Sequence, residues 1–503
     1  MTQLVRVEQG RYHDSVTLMR ASAAAQAVAG VAVVIAAMAT DLNRQLIVDA
    51  GFAEPDASAD DLVIAVRSDR DATAAEALAA VERVLTERRR SAPVGHRQVA
   101  PRTVESAAVR APEAGVVVVS VPGAHAYVEA AAALRAGRHV MVFSDGVDVD
   151  AEIALKREAA SLGRLVMGPD CGTTILGGVG LGFANVVVPG PVGLVAASGT
   201  GAQQLCCLLD GAGIGVRHVV GVGGRDLSAA VGGASTLAAL AALDADPAVE
   251  LIGVVSKPPD AEVADAVTAA AAGCQTPVVF AAVGPGRPTL TDAAGEIATT
   301  LGAPFAEPRS WWPAETATPA AGPVLGLFSG GTNAAEALVL LEQRLGPVRS
   351  NVPFEPSRRI GPHDDPVGAH TVLDLGDDEL TVGRPHPMID PAAVADRIAA
   401  PQPHTAGGGP GAVLLDVVLG HGAHPDPAAV LAPAVVAARD AGIGVVVVLI
   451  GTDGDPQGLD RQARALVGAG ATVHRSNARA AEHAAELAAG SGRVLRASEV
   501  SQA

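Results

Sequence analysis

The sequence predicts an α/β protein of doubly wound parallel-sheet domains, preceded by a small ferredoxin-like α+β domain. Three observations point there. The chain has 503 residues, too many for one hydrophobic core. Ala and Val supply most of its 49% hydrophobic content, with only 2% aromatics, which suits Ala-rich helices on Val-rich strands buried on both faces. Four landmarks in the middle of the chain recur later in the same order, the mark of a duplicated unit.

Residues 1–92 alternate strands (Leu4–Val7, Val31–Ala37, Leu62–Val66) with helices (Ser15–Val28, Leu42–Ala50, Ala72–Arg90). That order is the β-α-β-(α)-β-α of a ferredoxin-like domain. The run Ala21 to Thr40 carries no charge. Gly30 nevertheless divides it into a helix and a strand, so a cytoplasmic protein is expected rather than a leader or a membrane span. Arg88, Arg89 and Arg90 complement a helix C-terminus.

Residues 100–188 read as a Rossmann-type βαβ domain. Strand Val116–Val121 meets the turn Pro122-Gly123, and helix Ala124–Ala136, strand His139–Phe143, helix Ala151–Leu162 and strand Leu165–Met167 follow. No G-x-G-x-x-G follows the first strand, so the dinucleotide fingerprint is absent. Lys156 falls in a helix and is expected at the surface.

Residues 189–307 and 322–490 carry the repeat, joined by a Pro- and Ala-rich linker from Pro308 to Pro323. The first landmark is Ser198-Gly199-Thr200 in one copy and Ser329-Gly330-Gly331-Thr332 in the other, each between an apolar strand and a helix. The second is an acidic glycine loop, Gly223 to Leu227 and Gly376 to Leu380. Buried strands Leu251–Val255 and Val413–Val418 come next. Final strands Pro277–Val283 and Gly444–Ile450 run into glycine turns at Gly284 and Gly451.

A net charge of −18 argues against a nucleic-acid binder and against an anionic membrane surface. Small anions remain compatible, because backbone amides bind them locally. The four cysteines, Cys171, Cys206, Cys207 and Cys274, form no C-x-x-C pair, so neither a disulfide framework nor a zinc site is expected.

The Ser-Gly-Thr turns are the leading candidates for chemistry. A glycine turn opening a helix exposes the first amides, and the helix end carries roughly half a positive charge. The plainer reading is that Ser and Thr merely cap these helices. A second cluster is the loop Gly383 to Pro391, where Arg384 could clamp a carboxylate and Asp390 could cap the helix Ala392–Ile398. His421, His424 and Asp426 follow a strand end, where open α/β sheets bind ligands. H-x-x-H in a loop is weak metal-site evidence, so no metal is expected, and a solvated pair or a proton donor fits better. Asp453 and Asp455 could orient an amide or serve only as turn residues. Lys257 follows the strand Leu251–Val255.

These landmarks, with the runs Arg11 to Met19 and Met167 to Thr173, resemble the FdrA family, whose repeated domains look like the ligase domains of succinyl-CoA synthetase. The resemblance covers nearly the whole chain. It implies a CoA-binding-like domain at 100–188 and two ligase-like, flavodoxin-type domains at 189–307 and 322–490. It also implies a subunit of a carbamoyltransferase that moves the carbamoyl group of carbamoyl phosphate to oxamate in allantoin breakdown. Companion subunits encoded nearby, a homo- or hetero-oligomer and no cofactor of necessity go with it. On this resemblance, Ser198 and Ser329 stabilise the leaving phosphate, Arg384 or Arg225 clamps the oxamate carboxylate, and His386 or His421 shuttles a proton. Asp226, Asp453 and Asp455 would line the substrate site.

Two alternatives stand beside it. One is an acyl-CoA ligase subunit, with CoA or a nucleotide as ligand, and the other is a non-catalytic scaffold. A CoA ligase relays phosphate through a histidine, but the matching loop, Gly284 to Thr289, holds none. The acid that would support such a histidine is replaced around Ser256-Lys257-Pro258. The Gly-rich CoA turn and an ATP-grasp domain are missing too.

Overall fold

A computed structural model describes residues 2–13, 15–90, 101–314, 321–361, 364, 368–381, 385–399 and 411–490. Contacts divide the chain into two compact units, residues 1–102 with 381–385, and residues 103–380 with 386–503.

In the first unit the elements are β1 (Thr2–Glu8), α1 (Ser15–Gln26), β2 (Val31–Met38), α2 (Asp41–Asp49), β3 (Leu62–Ser68) and α3 (Asp71–Arg90). The sheet order is β1-β3-β2, with both pairings antiparallel. The central strand explains its own sequence. Leu62, Ile64 and Val66 face α1 and α3, while Val63 and Ala65 meet Ile47 and Phe52 on the other side. A strand covered on both faces needs an unbroken apolar run.

The second unit opens with α4 (Val104–Arg110), β4 (Val116–Val119), α5 (Gly123–Arg135), β5 (His139–Val142), α6 (Val149–Ser161) and β6 (Val166–Met167), whose strands form a parallel β4-β5-β6 sheet. A hairpin follows, β7 (Thr173–Leu176) and β8 (Val179–Gly182), turned by Gly177 and Gly178 at φ +58° and +83°. The sequence reading assigns this segment to the Rossmann-type domain. In the structure it pairs instead with the next sheet.

That next sheet is built from β9 (Val192–Ala196), β10 (Val216–Gly221), β11 (Leu251–Ser256) and β12 (Val278–Ala282), interleaved with α7 (Gly199–Gly211), α8 (Ala234–Asp244), α9 (Ala261–Gly273) and α10 (Leu290–Thr300). Its order is β12-β11-β9-β10-β7-β8. The last sheet uses β13 (Ser310–Trp311), β14 (Val324–Phe328), β15 (Arg349–Ser350), β16 (Thr371–Asp374), β17 (Ala412–Val418), β18 (Gly444–Ile450) and β19 (Thr472–His474). Its helices are α11 (Gly331–Leu345), α12 (Asp378–Thr381), α13 (Ala392–Ala399), α14 (Pro427–Asp440), α15 (Leu459–Ala469) and α16 (Asn477–Ala488). Its order is β13-β19-β18-β17-β14-β16-β15.

The duplication is visible in these orders. β12-β11-β9-β10 and β18-β17-β14-β16 are the same arrangement, so β9 and β14 occupy equivalent central places and α7 and α11 leave from equivalent ends. Both strands are buried throughout, which their Val192-to-Ala196 and Val324-to-Phe328 compositions require.

One expectation fails. Lys156 is 3% exposed, not at the surface. Its Nζ donates to Glu152 Oε1 at 2.7 Å, Asp226 Oδ1 at 2.7 Å and the Val222 carbonyl at 3.1 Å. α6 packs its lysine face onto the loop that follows β10, and two carboxylates, Glu152 of the same helix and Asp226 of that loop, make the burial tolerable.

Candidate functional site

The site lies in the second unit and begins where β9 and β14 end. After β9 the chain leaves the sheet, and Ser198, extended at φ −150°, caps α7 by accepting the Gly201 amide at 3.0 Å. After β14 the cap is different. Gly330 occupies that position with no side chain to offer, so no hydroxyl takes up the first amides of α11. Ser329 stands one residue earlier, and its amide donates to Asp416 Oδ1 at 2.7 Å.

The two turns meet. A Cβ on Gly330 would stand 2.4 Å from both Oγ1 and Cγ2 of Thr200. Reciprocally, a Cβ on Gly201 would stand 2.9 Å from Thr332 Cγ2. The first turns of α7 and α11 are therefore packed face to face, and only glycine permits the approach. Two like partial charges of about +0.5 brought together repel, an arrangement that an anion between them relieves.

Further contacts close a circuit around this junction. Thr173 Oγ1 lies 3.2 Å from the Cβ position of Gly199. Thr173 pairs with Gly182 across the β7–β8 hairpin, and the neighbouring Phe183 ring sits 5.9 Å from His386. His386 Nε2 lies 2.7 Å, and the Ser329 carbonyl 2.4 Å, from the Cβ position of Gly376. Over Gly331, Lys257 Nζ and Asp374 Oδ2 stand 2.7 and 2.8 Å from that residue's Cβ position.

Titratable groups here are strongly perturbed. Burial pushes the Asp416 carboxyl up to about 7, with the charge of Asp374 adding to it and the Ser329 donors opposing it. Burial pulls His386 down to about 4, so its ring is neutral at physiological pH. Its Nδ1 accepts the Met388 amide at 3.3 Å, so the proton of the neutral ring sits on Nε2, facing Gly376. His386 can donate a hydrogen bond there but is a poor acid–base shuttle near neutrality.

Other expected site residues lie differently. Asp226 is fully buried and takes the Ser235 amide, the Thr236 amide, the Thr236 hydroxyl and Lys156, so it is structural rather than substrate-binding. Arg225 binds Glu152 at 2.9 Å and the Val147 carbonyl at 2.7 Å, which commits it to α6 and the loop before it rather than to a carboxylate substrate. Asp455 takes Asn185 Nδ2, the Val186 amide and the Thr452 amide, clamping its own loop onto the segment after β8. These acceptors are filled by protein donors. Asp453 and His421 are exposed, and His421 pairs its backbone with Ala184. Asp390 caps the helix after it by accepting the Ala392 amide at 3.0 Å. Arg384 lies outside the described residues.

Asp416 and Asp374 are site residues that the sequence reading missed. The available signal was an acid inside an apolar strand, Leu415-Asp416-Val417 and Leu373-Asp374-Leu375, where an unpaired charge is costly.

Comparison with known proteins fits this geometry. YahF of Escherichia coli strain K12, an uncharacterized protein, is 34% identical over 512 residues, covering 95% of this chain and 97% of YahF. The chain belongs to the YahF family. Residues 327–487 match the CoA-ligase family, which takes in Ser329, Asp374, His386 and Asp416. The succinyl-CoA-synthetase-like character expected of the second repeat is thereby borne out. The malate–CoA ligase subunit alpha of Methylorubrum extorquens is 32% identical over 114 residues, 22% of this chain and 37% of that one. The succinate–CoA ligase subunit alpha 2 of Archaeoglobus fulgidus is 33% identical over 121 residues, 23% and 42%.

Residues 1–101 match the family "AllF, heavy metal-associated domain". The donor set does not fit a heavy metal. That segment of the YahF-family chain has no cysteine. Its His13 takes a hydrogen bond from Arg11 Nε at 3.2 Å, and Glu8 and Glu82 are tied to the Arg11 guanidinium. Among the described residues no group of three or more His, Cys, Asp or Glu could hold a metal, and no helix is long and apolar enough to cross a membrane.

Proposed function

We propose that the paired turns bind the phosphoryl end of an acyl phosphate, and that the chain is a subunit of an acyl-transferring enzyme. The observation that carries this reading is the reciprocal packing of Thr200 on Gly330 and Thr332 on Gly201. Two helix N-terminal turns in contact supply about one positive charge from backbone alone, preorganised for charge that develops on a leaving phosphate. Asp416 holds a proton near neutrality behind Ser329, and His386 offers Nε2–H beside the same turn. Together they supply a proton reservoir and a neutral donor around the anion.

Within that class, carbamoyl transfer from carbamoyl phosphate to oxamate, the FdrA-type activity, is the favoured reaction. It needs a phosphate cradle and no phosphohistidine, which agrees with a Gly284-to-Thr289 loop without histidine. The second reading is an acyl-CoA ligase subunit, favoured by the CoA-ligase match over residues 327–487. Against CoA at the α5 end, the backbone of Asp145 and Gly146 comes within 2.5 Å of the Cβ position of Gly123 and covers the first turn of that helix.

The test is to copurify the chain with the products of neighbouring genes. Phosphate release from carbamoyl phosphate with oxamate is assayed beside ADP formation from ATP, CoA and a carboxylate. CoA-dependent ADP formation without carbamoyl transfer would replace the first reaction by the second. An unchanged rate in the Ser198→Ala/Ser329→Ala double variant would remove the cradle from either.

A further inference from the structure

We infer that Lys257 is the cationic arm of the phosphoryl site, a side chain from the first repeat that holds the oxygens of a phosphate or acyl-phosphate dianion at the α11 turn of the second. This rests on the anion-site reading above and adds the side chain that completes it.

The geometry comes first. Lys257 Nζ is 2.7 Å and Cε 3.2 Å from the point where Gly331 would carry a Cβ, so the ammonium lies directly over the first residue of α11. Its root is fixed. Ser256 before it is buried at the end of β11, and Pro258 after it comes within 2.8 Å of the Cβ position of Gly284. The ammonium itself is unclaimed among the described residues, with no carboxylate within ion-pair distance. Asp374, whose Oδ2 shares the space over Gly331, turns Oδ1 to the Gly376 amide at 3.0 Å.

A second observation converges on the same turn. Asn333, in the first turn of α11, is fully buried, and its carboxamide makes no hydrogen bond of ordinary length, facing only the Asp416 carboxyl. Asp416 holds the Ser329 amide with one oxygen and leaves the other buried with only loose contacts from the Ser329 and Asn333 side chains. Buried polar atoms without partners are costly in a finished structure and mark a place where something else completes the bonding.

Charge then names the ligand class. Two helix ends and the Lys257 ammonium contribute about +2, set against the Asp374 carboxylate over the same turn, and the positive surplus suits a phosphoryl anion. A lysine also suits the task because it acts as a compact point charge that can follow a phosphoryl group through transfer. No covalent phosphoenzyme is required.

The sequence supplies a clean probe, because the chain has only two lysines, Lys156 and Lys257. Lys156 is buried and ion-paired, so amine labelling of the folded full-length chain reports Lys257 and the α-amine. Two measurements are made with inorganic phosphate and with carbamoyl phosphate. Calorimetry compares wild type with Lys257→Met and Lys257→Arg, and mass spectrometry follows the acylation rate of Lys257 with and without phosphate. Losing one charge-assisted contact should weaken phosphate binding by roughly 10- to 100-fold in Lys257→Met, with partial recovery in Lys257→Arg. Saturating phosphate should slow Lys257 acylation at least several-fold.

Equal phosphate affinity in wild type and Lys257→Met, or unchanged acylation with phosphate bound, overturns the inference and leaves the anion site standing. If wild type binds neither anion, the anion reading falls and this inference with it. Melting temperature checks that the variants fold, and the exposed position of Lys257 makes a folding defect avoidable.

Discussion

Gly330→Ala tests the central geometric fact, that the first turns of α7 and α11 are packed against each other. The new methyl would sit 2.4 Å from Thr200 Oγ1 and Cγ2 and 2.9 Å from Thr200 Cβ, where ordinary contacts are 3.4–4 Å. The backbone itself is not strained, since Gly330 is extended at φ −168°. The cost is therefore steric, and the two turns must separate by about 1 Å. Overpacking of this kind costs about 1–3 kcal/mol of stability, and a 1 Å displacement in a reacting site costs on the order of 100-fold in rate. Phosphate binding by calorimetry and thermal melting of the full chain measure both. Gly468→Ala, a helical glycine with nothing within 4 Å of its Cβ position, is the control and should be neutral or stabilising by up to about 1 kcal/mol. Thr200→Gly in the Gly330→Ala background removes the obstructing atoms and should restore binding. Wild-type binding and melting in Gly330→Ala would refute the packing, as would a folded double variant that recovers nothing.

Lys156→Met leaves Asp226 buried without its cation, and Glu152 with Arg225 alone, and should destabilise by about 3–5 kcal/mol in urea unfolding. Adding Glu152→Gln and Asp226→Asn should return most of that, and no return would discount the ion network. Burial raises the thiols of Cys171 to about 11 and Cys206 to about 12, and that of Cys207 well above its ordinary value. At neutral pH a thiol reagent should therefore titrate only the partly exposed Cys274 quickly, and all four cysteines in denaturant. His474 and His483, 3.0 Å apart beside Trp312, are lowered by burial to about 3 and about 4. The unfolded chain takes up protons on both below about pH 6.5 while the folded chain does not. Stability should thus fall as pH drops from about 6.5 towards 4, by at most about 1.4 kcal/mol per unit for each ring. A His474→Asn/His483→Gln variant should show a shallower slope across that window than wild type, and an equal slope would contradict the assignment.

Much of the fold is legible in local pattern. The strands Leu62–Ser68, Val192–Ala196 and Ala412–Val418 announce themselves as apolar runs, because a strand covered on both faces cannot alternate. The hairpin Thr173–Gly182 is not legible in that way. Four-residue strands carry little periodicity, and their allegiance to the following sheet is decided by antiparallel pairing with Val219. The short strand Ser310–Trp311 falls in what composition marks as linker, and it is a strand only because His474 and Val473 pair with it.

The candidate site divides the same way. Its glycine turns could be located directly, since each is a short Ser-, Gly- and Thr-rich break between an apolar strand and a helix. Asp416 and Asp374 were hidden by their settings, since each is one acid in a run of Leu and Val and gains meaning only beside Ser329 and Gly331.

The sequence by itself determined that the chain is a duplicated α/β protein and that each copy opens a helix with a small-residue turn. Those properties follow from periodicity, strand length and glycine chemistry, which act over a few neighbouring residues. The tertiary structure decided that the two helix ends meet, that Lys156 and Asp226 are buried partners, and that Lys257 overlies Gly331. Each of these joins residues about 70 or more positions apart, where no local pattern reaches and only the packing of the sheets sets the distance.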